Sequence, residues 1–352
     1  MKTHRHPRTR DASRGKRRPS PRYIVTGGAG FVGSNLCAAL VKRDPGAEVI
    51  VVDDFSSGSY ANLVEAFARA GVGPFTGTVV PFGVDGVELE PLIEGWPLRA
   101  VFHLAAITDT TVADEPAMIA ANTTPLLPLM HACVEAGVPL VYASSAAVYG
   151  SPPQGAARKP FPVAAAGTPN NVYGFSKWLM ECEHRRMLAI APGAHVVGLR
   201  YFNVFGPGES RKGKMASMAY QLVARLREGK APRLFKDGEQ ARDQVHVDDV
   251  VACTMAAAGL GDKADPAPGV YNVGSGVATS FNRVLAAVRK GLGIPAGRLE
   301  VEYFDMPQDV RAFYQDYTCA DLAETAKGLG WKPAIDPQAG LTSYAAYLAS
   351  RR

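Results

Sequence analysis

Short apolar runs alternate with amphipathic segments along most of the chain. The first run is β-branched and extends from Tyr23 to Thr26, and an amphipathic segment follows it through Leu40. A second apolar run, EVIVVDD, ends at Asp53 and Asp54. A strand, a helix and a second strand in this order predict a βαβ unit.

Three later runs continue the alternation. AVFHLAAITD, residues 100–109, is a buried strand that ends in small residues, and LVYASSAAVYG, residues 140–150, is a strand that ends in two serines. GVYNVGSG, from Gly269, is a late strand that we expect to return to the same sheet. The sequence therefore predicts an α/β fold, a doubly wound parallel sheet with its functional site at the carboxyl ends of the strands.

Glycines occupy the turn between the first strand and the first helix. Gly27, Gly30 and Gly33 recur there at every third position. A turn this tight, close to a pyrophosphate, leaves no room for side chains, and the helix N-terminus offers free N–H groups to the phosphates. Asp53 falls 20 residues after Gly33, where a carboxylate can accept both ribose hydroxyls of an adenosine. These features predict a dinucleotide-binding domain.

Two interleaved domains and a tail follow from the pattern. Residues 21–202 plus 240–276 are predicted to form the dinucleotide-binding (Rossmann) domain, and residues 203–239 plus 277–350 a smaller α+β substrate-binding domain over the cleft. Residues 1–20 are predicted to be a disordered basic tail.

The net charge of +5 is concentrated at the amino end. Residues 1–22 hold nine of the 38 Lys and Arg residues and one acid, so the remainder has 29 bases against 32 acids. The body is thus mildly acidic, and we expect no nucleic-acid partner. The tail is more consistent with a solvated leader than with a nucleic-acid-binding arm, and it lacks the apolar segment of a secretory signal.

Hydropathy, cysteines and histidines exclude other classes of protein. No apolar run approaches the ~18–20 residues that cross a bilayer, so we expect no membrane partner. The five cysteines are scattered without a CxxC pair, which argues against a disulfide framework and fits a reducing compartment. No metal is predicted, because these histidines do not cluster with carboxylates at metal-binding spacing: His103, His131, His184, His195 and His246.

Ser145, Tyr173 and Lys177 are candidate catalytic residues. Ser145 ends the strand in residues 140–150, and a helix that begins near Asn171 places Tyr173 and Lys177 four residues apart on one face. A phenol with a pKa of about 10 is a poor base at pH 7. A neighbouring ammonium and a positive nicotinamide ring favour the phenolate. Tyr173 can then take a proton from a sugar hydroxyl that Ser145 also contacts.

The glycine turn, the strand at residues 100–109 and these three residues resemble the extended short-chain dehydrogenase/reductase superfamily. The resemblance implies one tightly bound NAD or NADP per subunit and a catalytic triad of Ser145, Tyr173 and Lys177. It implies cofactor contacts at Gly27, Gly30, Phe31, Val32, Gly33, Asp53, Asp54, Leu104, Ala105, Ala106, Asn122, Tyr173, Lys177 and Val204.

The residues after the catalytic serine separate classes within the superfamily. Sugar-nucleotide dehydratases place an Asp-Glu pair there, whereas this chain has Ala146 and Ala147. No carboxyl acid is therefore available for an elimination, which favours an epimerase or a simple dehydrogenase.

Four later segments resemble ADP-L-glycero-D-manno-heptose 6-epimerases. They are GLRYFNVFGPGESRKGKMASMAYQL, RLFKDGEQARDQVHVDDV, YNVGSG and MPQDVRAFYQDYTCADL, in this order. With SSAAVYG and NVYGFSK, the resemblance covers roughly residues 22–350. It implies a cytoplasmic homo-oligomer, a pentamer or a dimer. Such an enzyme inverts C6 of ADP-D-glycero-D-manno-heptose for the lipopolysaccharide inner core.

The same resemblance assigns a second acid/base group to Lys212. Inversion through a ketone requires hydride to leave one face of the carbon and return to the other, so the carbonyl end rotates and its oxygen meets a different group in each orientation. The two redox steps cancel, and the nicotinamide stays bound. The resemblance also implies substrate contacts at Asn203, Lys214, Gln221, Phe235, Arg242 and Tyr314.

Several positions leave the sugar and the cofactor open. Lys214 stands where the family has a small serine, Gln221 stands where it has a histidine, and the loop FKDGEQARD is one residue short. Arg242 fits a diphosphate, with a surface ion pair to a neighbouring aspartate as the alternative. No Lys or Arg follows Asp53 before Leu63 to meet a 2′-phosphate, so NAD is favoured although the family often uses NADP.

Two other functions remain as alternatives. Another nucleotide-sugar epimerase, such as a UDP-hexose 4-epimerase, shares the fold and the triad but does not need Lys212. A non-catalytic nucleotide-sensing or scaffold protein would have no need for Ser145, Tyr173 and Lys177 together.

Overall fold

The structure is a computed structural model that describes residues 20–95, 97–110, 114–151, 157–305 and 314–351. All of the predicted tail except Ser20 lies outside these residues. The described strands are β1 Arg22–Thr26, β2 Glu48–Val52, β3 Thr78–Val80, β4 Leu98–His103, β5 Leu140–Ser145, β6 Val196–Tyr201, β7 Asn203–Phe205, β8 Arg233–Phe235, β9 Ala241–His246, β10 Gly269–Val273, β11 Ala278–Ser280 and β12 Glu302–Phe304.

Helices connect most of these strands. The described α-helices are α1 Phe31–Arg43, α2 Tyr60–Ala70, α3 Glu90–Gly95, α4 Glu115–Thr123, α5 Leu126–Glu135, α6 Val172–Ile190, α7 Met218–Arg227, α8 Val247–Ala257, α9 Phe281–Leu292, α10 Ala323–Leu329 and α11 Pro337–Ala349. Short 3-10 helices cover Val84–Gly86, Ala146–Tyr149, Val163–Ala165 and Glu209–Met215.

Seven parallel strands form the main sheet in the order β10-β6-β5-β4-β1-β2-β3. Successive residues of β1 enter two different cores. Tyr23 and Val25 pack with residues of α1, α2 and α8, whereas Ile24 packs with residues of α5 and α6. Helices thus cover both faces, which explains why every residue of β1 and β2 after the first is buried. The predicted doubly wound sheet is confirmed, and β10 returns to its edge beside β6.

The remaining strands form smaller sheets. β7, β9 and β11 form a three-stranded sheet, and β8 pairs with β12. Helices α7, α9 and α11 contact one another around a third core that includes Phe205, Leu222 and Leu341. β9 lies in the segment 240–276 and pairs with β7 and β11. The division of the chain into two domains stays a prediction.

One described segment, residues 115–135, is long and apolar enough by composition to cross a membrane. The structure divides it into α4 and α5 at Thr124 and Pro125. Met118 and Leu126 are buried in the protein, and α4 packs against α6. The core helices of other proteins meet the same criteria of length and composition.

Candidate active site

The glycine turn between β1 and α1 is closed too tightly for side chains. Gly27 has a positive φ of 66°, and a Cβ on it would lie 2.7 Å from the backbone nitrogen of Ala105. A Cβ on Gly33 would lie 2.1 Å from the carbonyl oxygen of Gly27. The first residues of α1 have no side-chain cap, so their N–H groups are available to an anion.

Asp53 follows β2 and forms a hydrogen bond with the glycine turn. Its Oδ2 accepts a hydrogen bond from the Ala29 nitrogen at 2.9 Å, and its Oδ1 accepts one from the Phe55 nitrogen at 2.9 Å. Burial raises the pKa of Asp53, and these backbone hydrogen bonds oppose that rise. Each carboxylate oxygen keeps a second lone pair for a ligand hydroxyl. Asp54 instead accepts from Ser56 at the surface.

The loop after β4 lies against the same turn. The Leu104 nitrogen donates to the Thr26 carbonyl oxygen at 3.1 Å, and the Ala105 nitrogen donates to the Thr26 hydroxyl at 3.3 Å. Asn122 is fully buried, and its amide binds both backbone groups of Ile107. The predicted cofactor residues Leu104, Ala105 and Ala106 are thereby fixed beside the glycines, with Asn122 holding their loop from behind.

Ser145 and Tyr173 are brought together by the start of α6. The Asn171 side chain caps this helix by accepting from the Gly174 nitrogen at 2.7 Å. A Cβ on Gly174 would lie 2.6 Å from the Ala147 carbonyl oxygen, so α6 begins in close contact with the 3-10 helix that follows β5. This contact places the phenol of Tyr173 in hydrogen-bonding distance of Ser145.

Lys177 extends from α6 toward β5. Its Nζ donates to the Ala143 carbonyl oxygen at 3.0 Å and lies 5.9 Å from the ring centroid of Tyr173. The side chain is 1% exposed, and burial lowers its pKa to about 7.

The pKa of Tyr173 differs from the sequence-based expectation. Burial raises it, and the hydrogen bond with Ser145 only partly opposes the rise. The expected effect of the Lys177 ammonium is outweighed, because burial disfavours the charged form of both side chains. A phenolate at this site therefore needs positive charge from a bound ligand.

A buried ion pair below Ser145 was missed by the sequence analysis. Arg200 of β6 donates to both oxygens of Glu181 on α6, at 2.8 and 2.7 Å, and both side chains are at most 2% exposed. Ser144 donates to the same carboxylate at 2.6 Å, and Arg200 also donates to the Tyr149 hydroxyl at 2.8 Å. The sequence signal that could have indicated this pair is a charged residue at a position expected to be buried, Glu181 in α6 and Arg200 in β6.

Lys212 lies on a loop that contacts the start of α1. We call residues 206–217 the Lys212 loop. Its lysine Nζ lies 5.5 Å from the ring centroid of Phe31, the first residue of α1. Pro207 accepts a hydrogen bond from Asn35 of α1 at 3.0 Å, which fixes the loop on that helix. Lys212 is half-buried, and burial lowers its pKa.

Lys214 and Gln221, the two residues that differ from the family pattern, both form contacts that involve the Lys212 loop. Lys214 forms an ion pair with Asp109 of the loop after β4, at 3.2 Å. The Gln221 amide donates to the carbonyl oxygens of Ala216 and Lys214, at 2.8 and 3.2 Å. Neither side chain was predicted to act within the protein in this way.

Phe235, Arg242 and Tyr314 form one cluster. The Arg242 guanidinium lies 4.9 Å from the Tyr314 ring centroid, and the Tyr314 and Phe235 rings meet edge to face at 5.6 Å. Arg242 is 8% exposed, and its buried Nη1 has no hydrogen-bond partner within the described residues. Burial lowers its pKa, which contact with Tyr314 opposes.

The surface ion pair considered for Arg242 is not formed with either neighbouring aspartate. Asp243 is fully buried and accepts from Ser275 and Ala320, whereas Asp248 pairs with Arg69. Arg242 therefore keeps a donor for a ligand. Of the other predicted residues, Asn203 is exposed and accepts from Thr318 at 3.4 Å, and Val204 packs on the main core.

Comparisons with known proteins identify the family. The model of the NAD dependent epimerase/dehydratase family matches residues 23–274. ADP-L-glycero-D-manno-heptose-6-epimerase from Helicobacter pylori is 33% identical, with a TM-score of 0.78, over 94% of this chain and 96% of that one. UDP-N-acetylglucosamine 4-epimerase from Methanobrevibacter ruminantium, in complex with UDP-N-acetylmuramic acid, is 25% identical, with a TM-score of 0.80, over 95% and 99%.

A third structure, MoeE5 in complex with UDP-glucose and NAD, is 28% identical, with a TM-score of 0.71, over 94% of this chain and 99% of that one. The predicted resemblance to heptose 6-epimerases is confirmed. The chain therefore belongs to the NAD-dependent epimerase/dehydratase family, as a nucleotide-sugar epimerase.

Proposed function

We propose that this enzyme inverts C6 of ADP-D-glycero-D-manno-heptose to give ADP-L-glycero-D-manno-heptose. The observation that carries the proposal is the half-buried amine of Lys212 beside Phe31, at the start of the helix that follows the glycine turn. Inversion by rotation of the C6 end uses a second acid/base group in addition to Tyr173. Similarity to the Helicobacter pylori heptose epimerase supports the same substrate.

The glycine turn and Lys177 fit a nicotinamide dinucleotide. We infer that the turn and the uncapped start of α1 hold the pyrophosphate, because a Cβ at Gly27 or Gly33 has no room. Asp53 would accept the adenosine ribose hydroxyls, and Lys177 would bind the nicotinamide ribose. The Asp53 carboxylate favours NAD over NADP, because it repels a 2′-phosphate. When bound, the nicotinamide accepts hydride from C6 and returns it.

Tyr173 and Lys212 serve the two orientations of the C6 oxygen. In one orientation Tyr173, held by Ser145, takes the proton of the hydroxyl as the ketone forms. In the other orientation Lys212 gives a proton to the oxygen as the new hydroxyl forms. In the reverse direction the two groups exchange these roles.

Phe235, Arg242 and Tyr314 would bind the nucleotide diphosphate. The unpartnered Nη1 of Arg242 supports this role, since a buried donor without a partner is costly until a ligand meets it. A guanidinium also bridges phosphate oxygens bidentately. Asn203, Lys214 and Gln221 stay predicted substrate contacts.

We further propose that the enzyme is a cytoplasmic homo-oligomer that supplies the lipopolysaccharide inner core, by the same similarity. Light scattering on the purified protein distinguishes a pentamer, a dimer and a monomer.

The function is tested with the purified protein and no added cofactor. ADP-D-glycero-D-manno-heptose is supplied, and the configuration at C6 is followed by proton NMR; we expect inversion without net redox. Turnover of a UDP-hexose in place of the heptose would show that the enzyme is a different epimerase of the family. Acid release of the bound nicotinamide should give mainly NAD, and recovery of mainly NADP would contradict the role of Asp53.

A further inference from the structure

Glu209 lies within the Lys212 loop and is fully buried. Its Oε2 accepts from the Ser217 nitrogen at 2.6 Å, and its Oε1 accepts from the Ser217 hydroxyl at 2.8 Å and the Gly206 nitrogen at 3.3 Å. These bonds join the first and last residues of the loop. A buried carboxylate is costly unless such donors meet it, so the loop and the carboxylate stabilise each other.

Two more groups face this carboxylate. Tyr344 of α11 is 2% exposed and hydrogen-bonded to it. Burial raises the pKa of Glu209, and its hydrogen bonds with Ser217 and the attraction of the Lys212 amine oppose that rise. Glu209 in turn favours the charged form of the Lys212 amine. On the side of α1, Lys212 meets the uncharged ring of Phe31. Its loop neighbours Arg211 and Lys214 are exposed.

An open cleft of about 510 Å³ lies beside the loop. Gly208 and Ser210 of the loop and Tyr220 and Tyr344 of α7 and α11 are among its lining residues. The loop also contains a kink at Gly213, with a φ of 54°. A segment that borders a cleft has fewer packing contacts and opens more easily, so the bonds of Glu209 across the loop's ends favour one conformation.

We propose that Glu209 is a positioning residue for Lys212, whose buried carboxylate closes the Lys212 loop and sets how readily the amine exchanges its proton. The inference rests on the proposed acid/base role of Lys212. Burial lowers the pKa of Lys212, and the attraction of Glu209 opposes that effect. Without the carboxylate, the amine would be neutral over more of the working pH range.

The effect of the Glu209 charge is tested by trace acetylation of the lysines at several pH values, with the products measured by mass spectrometry. Only a neutral amine is acetylated, so the pH at which the acetylation rate of a lysine is half-maximal, its acetylation midpoint, reports its pKa. In Glu209→Gln, we expect the midpoint for Lys212 to fall by about one unit or more, as for the loss of an adjacent opposite charge. Lys214, exposed on the same loop, should keep its midpoint. An unchanged midpoint for Lys212 overturns the proposal, whether or not the enzyme turns over any sugar.

The matched control is Asp249→Asn. Asp249 is 4% exposed and accepts from the backbone nitrogens of Ala334 and Ile335, at 3.0 and 2.9 Å. Its replacement therefore reproduces the loss of a buried, backbone-bound carboxylate, on α8 and outside the Lys212 loop. Asp249→Asn should lower stability but leave the acetylation midpoint of Lys212 in place. A shift equal to that of Glu209→Gln would reduce Glu209 to a general structural role.

Epimerisation provides the second readout. The limb of the pH–rate profile that belongs to Lys212 should move to lower pH in Glu209→Gln in both reaction directions, because the amine accepts a proton in one and donates it in the other. If the parent protein inverts no nucleotide sugar while the acetylation midpoint shifts, the proposed function fails and the pairing of Glu209 with Lys212 stands.

A milder variant covers the case in which Glu209→Gln does not fold. Ser217→Ala removes the hydroxyl bond to Glu209 and the N-cap bond from the Tyr220 nitrogen of α7, and it keeps the carboxylate. We expect a several-fold lower kcat, an unchanged KM and an unchanged acetylation midpoint for Lys212. A parental kcat would show that the loop does not need this anchor, which contradicts the proposal.

Discussion

At the scale of single residues, two lysines at the site have different surroundings. Lys212 is half-buried, and its amine lies against the ring of Phe31. Lys177 is 1% exposed, and its amine donates a hydrogen bond to a backbone carbonyl of β5. The first arrangement suits a group that exchanges a proton with a substrate. The second holds the amine in one place beside Tyr173.

Replacement of Lys212 should separate inversion from cofactor binding. Lys212→Ala removes one of two acid/base groups, so we expect a loss of about 10²–10⁴-fold in the rate of inversion. The bound nicotinamide should stay, because the glycine turn does not include Lys212. NMR of C6 and acid release of the nicotinamide measure the two effects.

The matched control for this variant is Arg211→Ala, which removes an exposed cation from the adjacent position. It should keep the parental rate. Each epimer supplied alone to Lys212→Ala gives a stricter test. We expect nicotinamide reduction, seen in the near ultraviolet, with one epimer and not with the other. Near-parental inversion would remove Lys212 from the mechanism.

Lys177 should lower the stability of the protein below neutral pH. Its folded pKa is about 7 and its ordinary value is 10.5. Between these values the unfolded chain binds one proton more than the folded protein, so stability rises with pH across this window. Below it, the buried ammonium carries its full cost. His103, with a pKa lowered by burial to about 3, is neutral throughout.

The corresponding variant is Lys177→Met. At about pH 6 it should exceed the parent in free energy of unfolding by a few kcal/mol, and the advantage should shrink by about pH 9. Urea unfolding at several pH values, on samples of equal nicotinamide content, measures the difference. If the free energies of unfolding of the two proteins change with pH in parallel, Lys177 has no lowered pKa in the folded protein and the prediction is wrong.

The sequence pointed to Ser145 and Tyr173, whose catalytic roles stay predictions, more readily than to the residues that hold them. Ser145 and Tyr173 occur in recognisable local patterns, and the structure brings them together. Glu209 and Glu181 do not, because a buried carboxylate is explained only by partners on other elements. Glu181 of α6 meets Arg200 of β6, and no local spacing of residues encodes that contact.

At the scale of elements, the ion pair of Glu181 and Arg200 joins α6 to β6 beside Ser144, the neighbour of Ser145. Removal of one partner leaves a buried, uncompensated charge, which typically costs about 3–5 kcal/mol. Glu181→Gln should therefore lower the free energy of unfolding by about that amount. Denaturant unfolding with constant m-value is the measurement.

The double variant Glu181→Met/Arg200→Met shows whether the cost of the single variant comes from an unpaired buried charge. We expect it to be more stable than Glu181→Gln, because two apolar side chains leave no charge unpaired. It should still invert substrate more slowly than the parent, since Ser144 loses its acceptor beside Ser145. A single variant as stable as the parent would contradict the structural role of the pair.

The main sheet could be predicted from the sequence, and the smaller sheets could not. β1 and β2 are strands of five residues that begin with a charged residue and continue as β-branched or aromatic runs, and each is followed by a helix in the expected βαβ order. β7 and β11 have only three residues each, and β7 pairs with β9 about forty residues later in the chain. Three residues are too few to show the alternation of apolar and polar positions that indicates a strand, so only pairing with distant strands defines them.

At the scale of the whole molecule, one ion pair links the Lys212 loop to the dinucleotide-binding sheet. Lys214 meets Asp109, which follows β4, at 3.2 Å, with the two side chains 68% and 32% exposed. Such exposed pairs contribute about 0–1 kcal/mol to stability and weaken as salt is added. The pair is thus too weak to hold the fold but is placed to restrict the movement of the loop across the cleft.

Lys214→Ser, the residue type expected in the heptose epimerase family, tests this placement. The free energy of unfolding should change by less than about 0.5 kcal/mol, since an exposed pair is lost. KM for the nucleotide sugar should change several-fold and lose most of its salt dependence, whereas the pH dependence due to Lys212 should stay the same. The matched Lys230→Ser variant breaks another exposed pair, with Glu228, just after α7. If both variants alter KM equally, the effect belongs to net charge and not to a link between the Lys212 loop and the sheet.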